Sequence, residues 1–416
     1  MRRPALPPLL RENANFRRFF LGQSVSLVGD QITTIALPLT AVLALHANAG
    51  QMGALTTAYL VPNLIFSLHA GAWVDRRGRR RGVMLATDLG RAALIGSIPV
   101  AYAFGHLTWA QLYVVAFLTG VLSVFFSVAY GAMIQMLVPR KEYVAANSLV
   151  HGSRAFSFLA GTSIGGVLVQ LLRGPYALGV DAVSFLWSAL FLRRMQLDEP
   201  PGAPPEAGSL TAGARWIRDN PIIRAELLGV ATLNFFNFIF FALFVLYATR
   251  TLGINPATLG IVLGAASVGT LGGSFVTARI SRRIGVGRAF VAGCFLFPAP
   301  LILVPLAGGP KWLVIACLFV SEFTSGIGLM LLDIMAGTIS ASLIPAALRS
   351  RVSGAFNVVN YGVRPLGTAA GGVLGSLIGL RPTLWIATVG ALAGLLFILP
   401  SPIMGLRELP EEAPVR

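Results

Sequence analysis

Long apolar stretches recur along the chain, separated by short segments rich in glycine, proline or arginine. Each stretch approaches or exceeds the roughly 20 residues that an α-helix needs to cross about 30 Å of hydrocarbon. The stretches are too long for strands of a membrane barrel, which need about 10 alternating residues. The pattern therefore predicts an all-α membrane protein with twelve transmembrane helices, over residues 19–45, 51–73, 83–105, 109–137, 148–172, 176–194, 222–249, 257–279, 289–308, 311–343, 354–380 and 382–403.

Composition excludes the soluble classes of protein. Hydrophobic residues make up 55% of the 416 and charged residues 12%, with a mean hydropathy of +0.76. The net charge of +16 comes mostly from arginines, which are concentrated in the N-terminal segment and in alternate connections between the stretches. Because basic residues mark the cytoplasmic side, this charge indicates a topology with both termini in the cytoplasm and a fit to anionic lipid, and not a nucleic-acid partner.

A proline-rich segment divides the chain into two halves. Residues 198–208 contain four prolines and cannot form a packed element. We expect bundles of six helices over 1–194 and 222–403, a cytoplasmic linker over 195–221, and a cytoplasmic tail over 404–416. Within the linker, Leu210, Ala214 and Ile217 share one helical face and Arg215 and Arg218 another. This pattern predicts a short amphipathic helix on the inner membrane surface.

The two halves are related as a repeat. A shift of 206 residues superposes Arg18 on Arg224 and Pro139 on Pro345. The most specific match is a glycine motif in the fifth span of each half, formed by Gly161, Thr162, Gly165 and Gly166 and by Gly367, Thr368, Gly371 and Gly372. Two six-helix pseudo-symmetric bundles in parallel repeat are a transporter architecture, with the site between the halves near the bilayer midplane.

The loop between the second and third spans carries a recognisable motif. It reads Gly71-Ala-Trp-Val-Asp75-Arg76-Arg77-Gly78-Arg79-Arg80 and resembles a motif of the major facilitator superfamily. The resemblance implies that this loop latches the two halves in the outward-open state, with Gly71 allowing close helix approach. The equivalent loop in the second half has Ser281 where Asp75 falls, which implies a weaker latch. The alternative is a basic loop that serves topology alone.

Further motifs narrow the resemblance. The glycine motif at Gly161 is similar to an antiporter motif of the superfamily, although Thr162 replaces its proline, and simple small-residue packing explains it equally well. Residues 21–30 and 136–147 resemble the branch of macrolide-efflux and enterobactin-export proteins, which implies export. The superfamily's arginine motif in the fourth span is missing, because residues 118–135 contain no basic residue.

Three carboxylates lie inside predicted spans that, by the resemblance, line a central cavity. Asp30 and Asp333 fall at similar depth on spans one and ten, and Glu322 lies eleven residues before Asp333 on one face. A charge at the bilayer centre costs about 2.5–3.5 kcal/mol and needs a reason. All three are candidates for proton coupling. The alternatives are a structural hydrogen bond for Asp30, a structural pair with Arg364 for Asp333, and exposure to a water-filled outer vestibule for Glu322.

Neutral polar residues on the same spans are candidates to contact cargo, and Arg364 in span eleven is a candidate both to contact cargo and to pair with Asp333. That pairing would leave Glu322 or Asp30, which has no basic neighbour in its own span, free to titrate. Asp88 with Arg91, three residues apart, is expected to be a structural pair near the cytoplasmic end, and Asp181 and Glu226 to be structural residues near the membrane edges. The neutral candidates are Gln31, Ser127, Tyr130, Asn234 and Asn237.

These features predict a secondary transporter of the inner membrane that exports small amphipathic, drug- or siderophore-like molecules by proton antiport and rocking of its halves. An importer or facilitator of the same fold is the alternative. A membrane sensor or enzyme is disfavoured, because no output domain, nucleophile motif or phosphate-binding loop is recognisable. We expect cargo, protons and lipid as partners, no cofactor or metal, and a functional monomer.

Overall fold

The computed structural model describes residues 7–197, 199, 210–345 and 348–407, and within them it contains helices and no β-strand. Ten helices within these ranges are long and apolar enough to cross a membrane. Two further helices of 29 residues each, α2 and α11, carry more polar side chains. The helices are α1 (Ala14–Ala44), α2 (Ala49–Arg77), α3 (Arg80–Ala103), α4 (Trp109–Leu137), α5 (Tyr143–Leu172), α6 (Gly174–Arg193), α7 (Pro221–Arg250), α8 (Pro256–Ile284), α9 (Val286–Leu306), α10 (Lys311–Leu343), α11 (Arg349–Leu377) and α12 (Leu380–Ile398).

Side-chain caps and special backbone positions explain where the helices begin and break. Asn13 caps α1 by accepting the Phe16 amide at 2.9 Å, and Asn220 caps α7 in the same way. Gly78, with φ +65°, allows the tight connection between α2 and α3. Helix α9 is broken after Leu296, where Pro298 cannot continue the backbone hydrogen bonding.

The described residues divide into two compact units. The first contains α1, α3–α6 and α2 from Ala58 onward. Within it α1 packs against α5 and α6, and α3 packs against α4 and α6. Its apolar core gathers the N-terminal turns of α1 with α3 and α4, through Phe16, Phe19, Met84 and Met133.

The second unit contains α7–α12 and the first turns of α2, Ala47–Thr57. Helix α7 packs against α11 and α12, and α10 packs against α8 and α9, so the partners of α7 repeat those of α1. The start of α2 lies directly on α11. A Cβ at Gly53 would lie 2.5 Å from Gly372 Cα, and the hydroxyl groups of Thr57 and Thr368 are 2.7 Å apart.

The glycine motif brings equivalent helices together in both units. A Cβ at Gly161 would lie 2.6 Å from Gln31 Cβ, and one at Gly165 would lie 3.1 Å from Ile32 Cα, both on α1. In the second unit a Cβ at Gly367 would overlap the Phe235 carbonyl oxygen of α7, and one at Gly371 would lie 3.1 Å from Ile239 Cα. The remaining motif glycines, Gly166 and Gly372, lie one residue further along, and Gly166 is buried. The motif thus occupies the α1–α5 and α7–α11 contacts, where a side chain has no room.

The segment between the units contains a helix at Leu210–Asp219. Its buried face is formed by Gly213 and Ile217, and Ile217 belongs to the core of the second unit. A Cβ at Gly213 would overlap the Arg351 carbonyl oxygen at the start of α11. Ala214, expected on the apolar face, is exposed, so this helix packs on protein through a face one residue away from the expected one. The proline-rich segment falls outside the described residues except for Glu199, and the tail does so from residue 408.

Candidate functional site

An enclosed arginine lies at the middle of α3. Arg91 is 3% exposed and donates from Nη2 to Asp88 Oδ1 at 2.5 Å. Its Nη1 lies 3.6 Å from Asp30 Oδ1, near the middle of α1. The rings of Phe126 and Phe185 lie 4.2 and 4.3 Å from its guanidinium carbon. The arginine therefore joins two carboxylates from two helices, and aromatic faces cover the rest of the cation.

Hydroxyl and amide groups extend this cluster towards α6. Ser188 Oγ donates to Asp88 Oδ2 at 2.6 Å, and Gln23 Nε2 on α1 donates to Ser188 Oγ at 2.7 Å. Both oxygens of Asp88 therefore have a donor. A buried carboxylate that is both paired and hydrogen-bonded is stable where an isolated one would not be.

A third carboxylate lies on α6 against α1. Asp181 Oδ2 accepts a hydrogen bond from Thr33 Oγ1 at 2.5 Å, and Oδ1 accepts one from Ser184 Oγ at 2.8 Å. Gly29 makes this approach possible, because a Cβ there would overlap both Ser184 Oγ and Asp181 Oδ1. Asp181 also interacts electrostatically with Arg91.

These residues form a charged network, defined here as Asp30, Asp88, Arg91 and Asp181. If all four were ionised, three negative charges would face one positive charge inside the membrane span, which disfavours full ionisation. Asp88 and Asp181 are 0% exposed, whereas the Asp30 side chain is 37% exposed. Asp30 is therefore the carboxylate of the network that the protein does not fully enclose.

The network corrects three expectations. Asp30 has a cationic partner after all, since Arg91 reaches it from α3, and sequence separation concealed the contact. Asp88 and Arg91 do form a pair, but at the middle of α3. Asp181 lies buried between α1 and α6, where its two hydroxyl donors hold it, and not at a membrane edge.

The carboxylates of the second unit lie apart from one another. Glu226 is 1% exposed and accepts from Ser340 Oγ at 3.3 Å on one oxygen, while Oε2 is buried without a hydrogen bond. Glu322 is 8% exposed, which contradicts the alternative that it faces a water-filled vestibule. Asp333 is exposed, so Glu322 and Asp333 differ in environment despite their spacing on α10.

Arg364 lies near the middle of α11. Its guanidinium carbon is 4.3 Å from the centre of the Tyr361 ring and 5.2 Å from that of Phe238. Among the residues that the structure describes, none of the ion pairs includes Arg364, so the expected direct pair with Asp333 is not formed. The two side chains interact electrostatically at longer range.

The neutral cargo candidates have different surroundings. Asn234 Nδ2 donates to Asn360 Oδ1 at 2.8 Å, whereas Gln31 and Asn237 are half-buried on α1 and α7. Ser127 is exposed and donates to the Val124 carbonyl of its own helix. Tyr130 is the exception, because it is 5% exposed and belongs to the apolar core of the first unit. That packing contradicts a cargo-lining position for Tyr130.

No group of three His, Cys, Asp or Glu side chains within the described ranges is arranged to hold a metal ion. The charged network of the first unit is a set of three carboxylates around one arginine, joined by ion pairs and hydrogen bonds.

Comparison with known proteins identifies the family. The family model described as Major Facilitator Superfamily matches residues 19–368. The chain belongs to the major facilitator superfamily. It is 28% identical over 380 residues to the multidrug efflux pump Tap of Mycolicibacterium fortuitum, covering 85% of this chain and 88% of that protein. It is 22% identical over 378 residues to the enterobactin exporter EntS of Citrobacter koseri, covering 89% and 87%.

Solved structures show the same fold. A bacterial homologue of the iron transporter ferroportin, in an inward-facing state, superposes with a TM-score of 0.73 at 17% identity, covering 95% of this chain and 99% of that one. A bacterial homologue of the human lysosomal transporter Spinster gives 0.74 at 13% identity, covering 99% and 100%. The resemblance inferred from motifs is therefore confirmed, and this superfamily member is a multi-pass membrane transporter.

The superfamily motif around Asp75 lies at the junction of α2 and α3. Asp75 Oδ1 is 3.9 Å from Arg80 Nη2, with the two side chains 48% and 20% exposed. Gly78 is buried and donates its amide to the Val74 carbonyl at 3.1 Å. Arg76 and Arg79 are exposed. A Cβ at Gly71 would meet nothing within 4 Å, so the expected close helix approach at Gly71 is wrong, and Gly78 is the glycine that the loop needs.

Sequence reasoning missed the network because its members lie on α1, α3 and α6. The depth of Arg91 was the available signal, since a charged residue in mid-helix needs a partner from another helix. Gly29 had no such signal, because its role depends on which face of α6 meets α1.

Proposed function

We propose that this superfamily member exports small amphipathic molecules across the inner membrane in exchange for protons, with both termini in the cytoplasm. Its relatives named as an efflux pump and as an exporter support the direction. The distribution of arginines supports the orientation. Rocking of the two helical bundles would expose the cargo site to either side in turn.

The charged network carries the proton part of the proposal. Three carboxylates around one arginine in a membrane span favour binding of a proton, which lowers the excess negative charge. Asp30 is the member that the protein does not fully enclose, at 37% exposure, and we take it as the residue that exchanges that proton. Protonation of Asp30 removes its attraction for Arg91 Nη1 and leaves the guanidinium with Asp88. Proton binding on α1 would thereby change the contact between α1 and α3.

The experiment measures flux in proteoliposomes with and without an imposed pH gradient. The cargo panel consists of cationic, neutral and anionic amphipathic fluorophores. We expect the gradient to drive uphill movement of at least one class, and we expect Asp30→Asn to abolish this dependence while retaining cargo binding or downhill exchange. Asp219→Asn is the control, since Asp219 is an exposed carboxylate that pairs with Arg218.

Two results would contradict the proposal. Flux in the parent that ignores the pH gradient favours a facilitator. Uphill flux in Asp30→Asn at the parent rate removes Asp30 from the coupling step, even if the parent is coupled to protons.

A further inference from the structure

Arg91 and Arg364 each lie against two aromatic rings near the middle of a helix, but only Arg91 is in ion-pair contact with carboxylates among the described residues. Arg91 lies between the rings of Phe126 and Phe185 and contacts two carboxylates. Arg364 lies against Tyr361 and Phe238, and its Nε, like that of Arg91, is buried without a hydrogen bond. The described residues place no carboxylate in ion-pair contact with Arg364.

A cation in the membrane without a contacting anion is unfavourable, and aromatic faces offset a part of that cost. The longer-range attraction of Asp333 on α10 offsets a further part. The Arg364 side chain is half-buried, so the protein does not enclose the guanidinium completely. An anion that contacts the guanidinium would therefore gain a charge-assisted hydrogen bond that the protein itself does not supply.

The surroundings of Arg364 suit a planar, partly polar group. Asn360 lies one helical turn before Arg364 on the same face of α11 and accepts from Asn234 Nδ2 of α7 at 2.8 Å. Phe238 lies one turn after Asn234 on α7. Side by side, α7 and α11 thus present an amide pair followed by an arginine between two rings, which offers hydrogen bonds and a stacking surface together.

We propose that Arg364 binds the carboxylate of an aromatic, amphipathic acid, with the Tyr361 and Phe238 rings stacking on the aromatic part. This inference rests on the proposed function and gives the cargo its chemical class. A planar guanidinium pairs with a carboxylate through two parallel hydrogen bonds, and its stacking against rings favours the same plane for the ligand.

The test is calorimetric binding of 2-naphthoate and 2-naphthamide to the full-length protein in nanodiscs. The two probes share the ring system and differ in charge. We expect the parent to bind 2-naphthoate about tenfold more tightly, as a charge-assisted hydrogen bond requires. Arg364→Gln should remove this preference and leave the affinity for 2-naphthamide unchanged. Arg250→Gln is the control, since Arg250 is an exposed arginine at the end of α7.

Equal affinity of the parent for both probes would overturn the proposal, as would a preference that survives in Arg364→Gln. Should Arg364→Gln not fold, Arg364→Lys and Tyr361→Leu decide the matter. Lysine keeps the charge without the planar fork and should weaken the preference, while Tyr361→Leu should weaken binding of both probes. If probe binding is unchanged in both Arg364→Lys and Tyr361→Leu, the proposed site is wrong. Because binding is measured without a pH gradient, a parent that binds 2-naphthoate but lacks proton-driven flux refutes the exchange mechanism alone.

Discussion

The two helical units share a packing plan and differ in how they handle charge. The shift of 206 residues that relates the halves places Asp30 on Phe236, Asp88 on Cys294 and Arg91 on Phe297. It also places Ser184 on Gly390. The first unit brings Gly29 of α1 against Ser184 and Asp181 of α6. The second brings the Phe236 ring of α7 against Gly390 of α12, where a Cβ would overlap the ring.

The same helix packing therefore accommodates an aromatic contact in one unit and a polar contact in the other. In the second unit an aromatic ring fills the α7–α12 contact and no counter-charge is needed. In the first unit the equivalent contact holds polar groups, each of which requires a partner from another helix. Among the described residues of the second unit, no ion pair joins Glu226, Glu322, Asp333 and Arg364. We therefore propose different roles for the two units, proton exchange in the first and binding of an anion by Arg364 in the second.

The largest expected effect comes from removing the cation of the network. Arg91→Gln leaves Asp88 and Asp30 without their partner, and breaking a buried pair costs about 3–5 kcal/mol in the free energy of unfolding. Arg364→Gln, at a half-buried site that lacks a contacting carboxylate, should cost less than about 1 kcal/mol. Denaturant titration of both variants in detergent micelles measures the difference, and equal losses would contradict the contrast between the units.

A double variant tests whether Arg91 and Asp88 stabilise each other. Arg91→Gln combined with Asp88→Asn should regain part of the stability lost in Arg91→Gln, because an absent pair is less unfavourable than an unpaired buried charge. Additive losses in the double variant would show that the two side chains do not depend on each other.

The next largest effect on stability is expected when a side chain is added to a glycine at a close helix contact. Gly29→Ala forces α1 away from Asp181 and Ser184, and overpacking of this kind costs about 1–3 kcal/mol. Gly71→Ala is the matched control, since a Cβ at Gly71 meets nothing within 4 Å and alanine favours a helix by about 0.5–1 kcal/mol. Thermal unfolding of the two variants should therefore shift in opposite directions, and a neutral Gly29→Ala would contradict the close contact of α1 with α6.

Hydrophobic pattern alone predicts most of the fold, because each span is a continuous run of the length that a membrane requires. The repeat predicts that the two halves share one plan, but the partner helices of the Gly161 and Gly367 motifs, α1 and α7, appear only in the structure. The charge pairs between helices could not be predicted from the sequence in this way. Arg91 meets Asp30 because α3 and α1 both pack on α6, which is a property of the three-dimensional arrangement and has no signature in residue spacing. The same reason separates Arg364 from Asp333, whose similar depth suggested contact.

The smallest effect on stability is expected at the loop between α2 and α3. Asp75 and Arg80 form an ion pair at 3.9 Å with Asp75 half-exposed, and pairs of this kind contribute about 0–1 kcal/mol. Asp75→Asn should thus unfold at nearly the parent temperature, in contrast to Arg91→Gln. If the loop acts as a latch, the same variant should lose most of its transport, because a shift of about 1.4 kcal/mol between two states changes their ratio tenfold. Proteoliposome flux and thermal unfolding, measured on one preparation with Asp219→Asn as the control, separate the two quantities. Parent-like flux would leave Asp75 with a role in topology alone, and a large loss of stability would mean that the exposed pair supports the fold in the way that the buried network does.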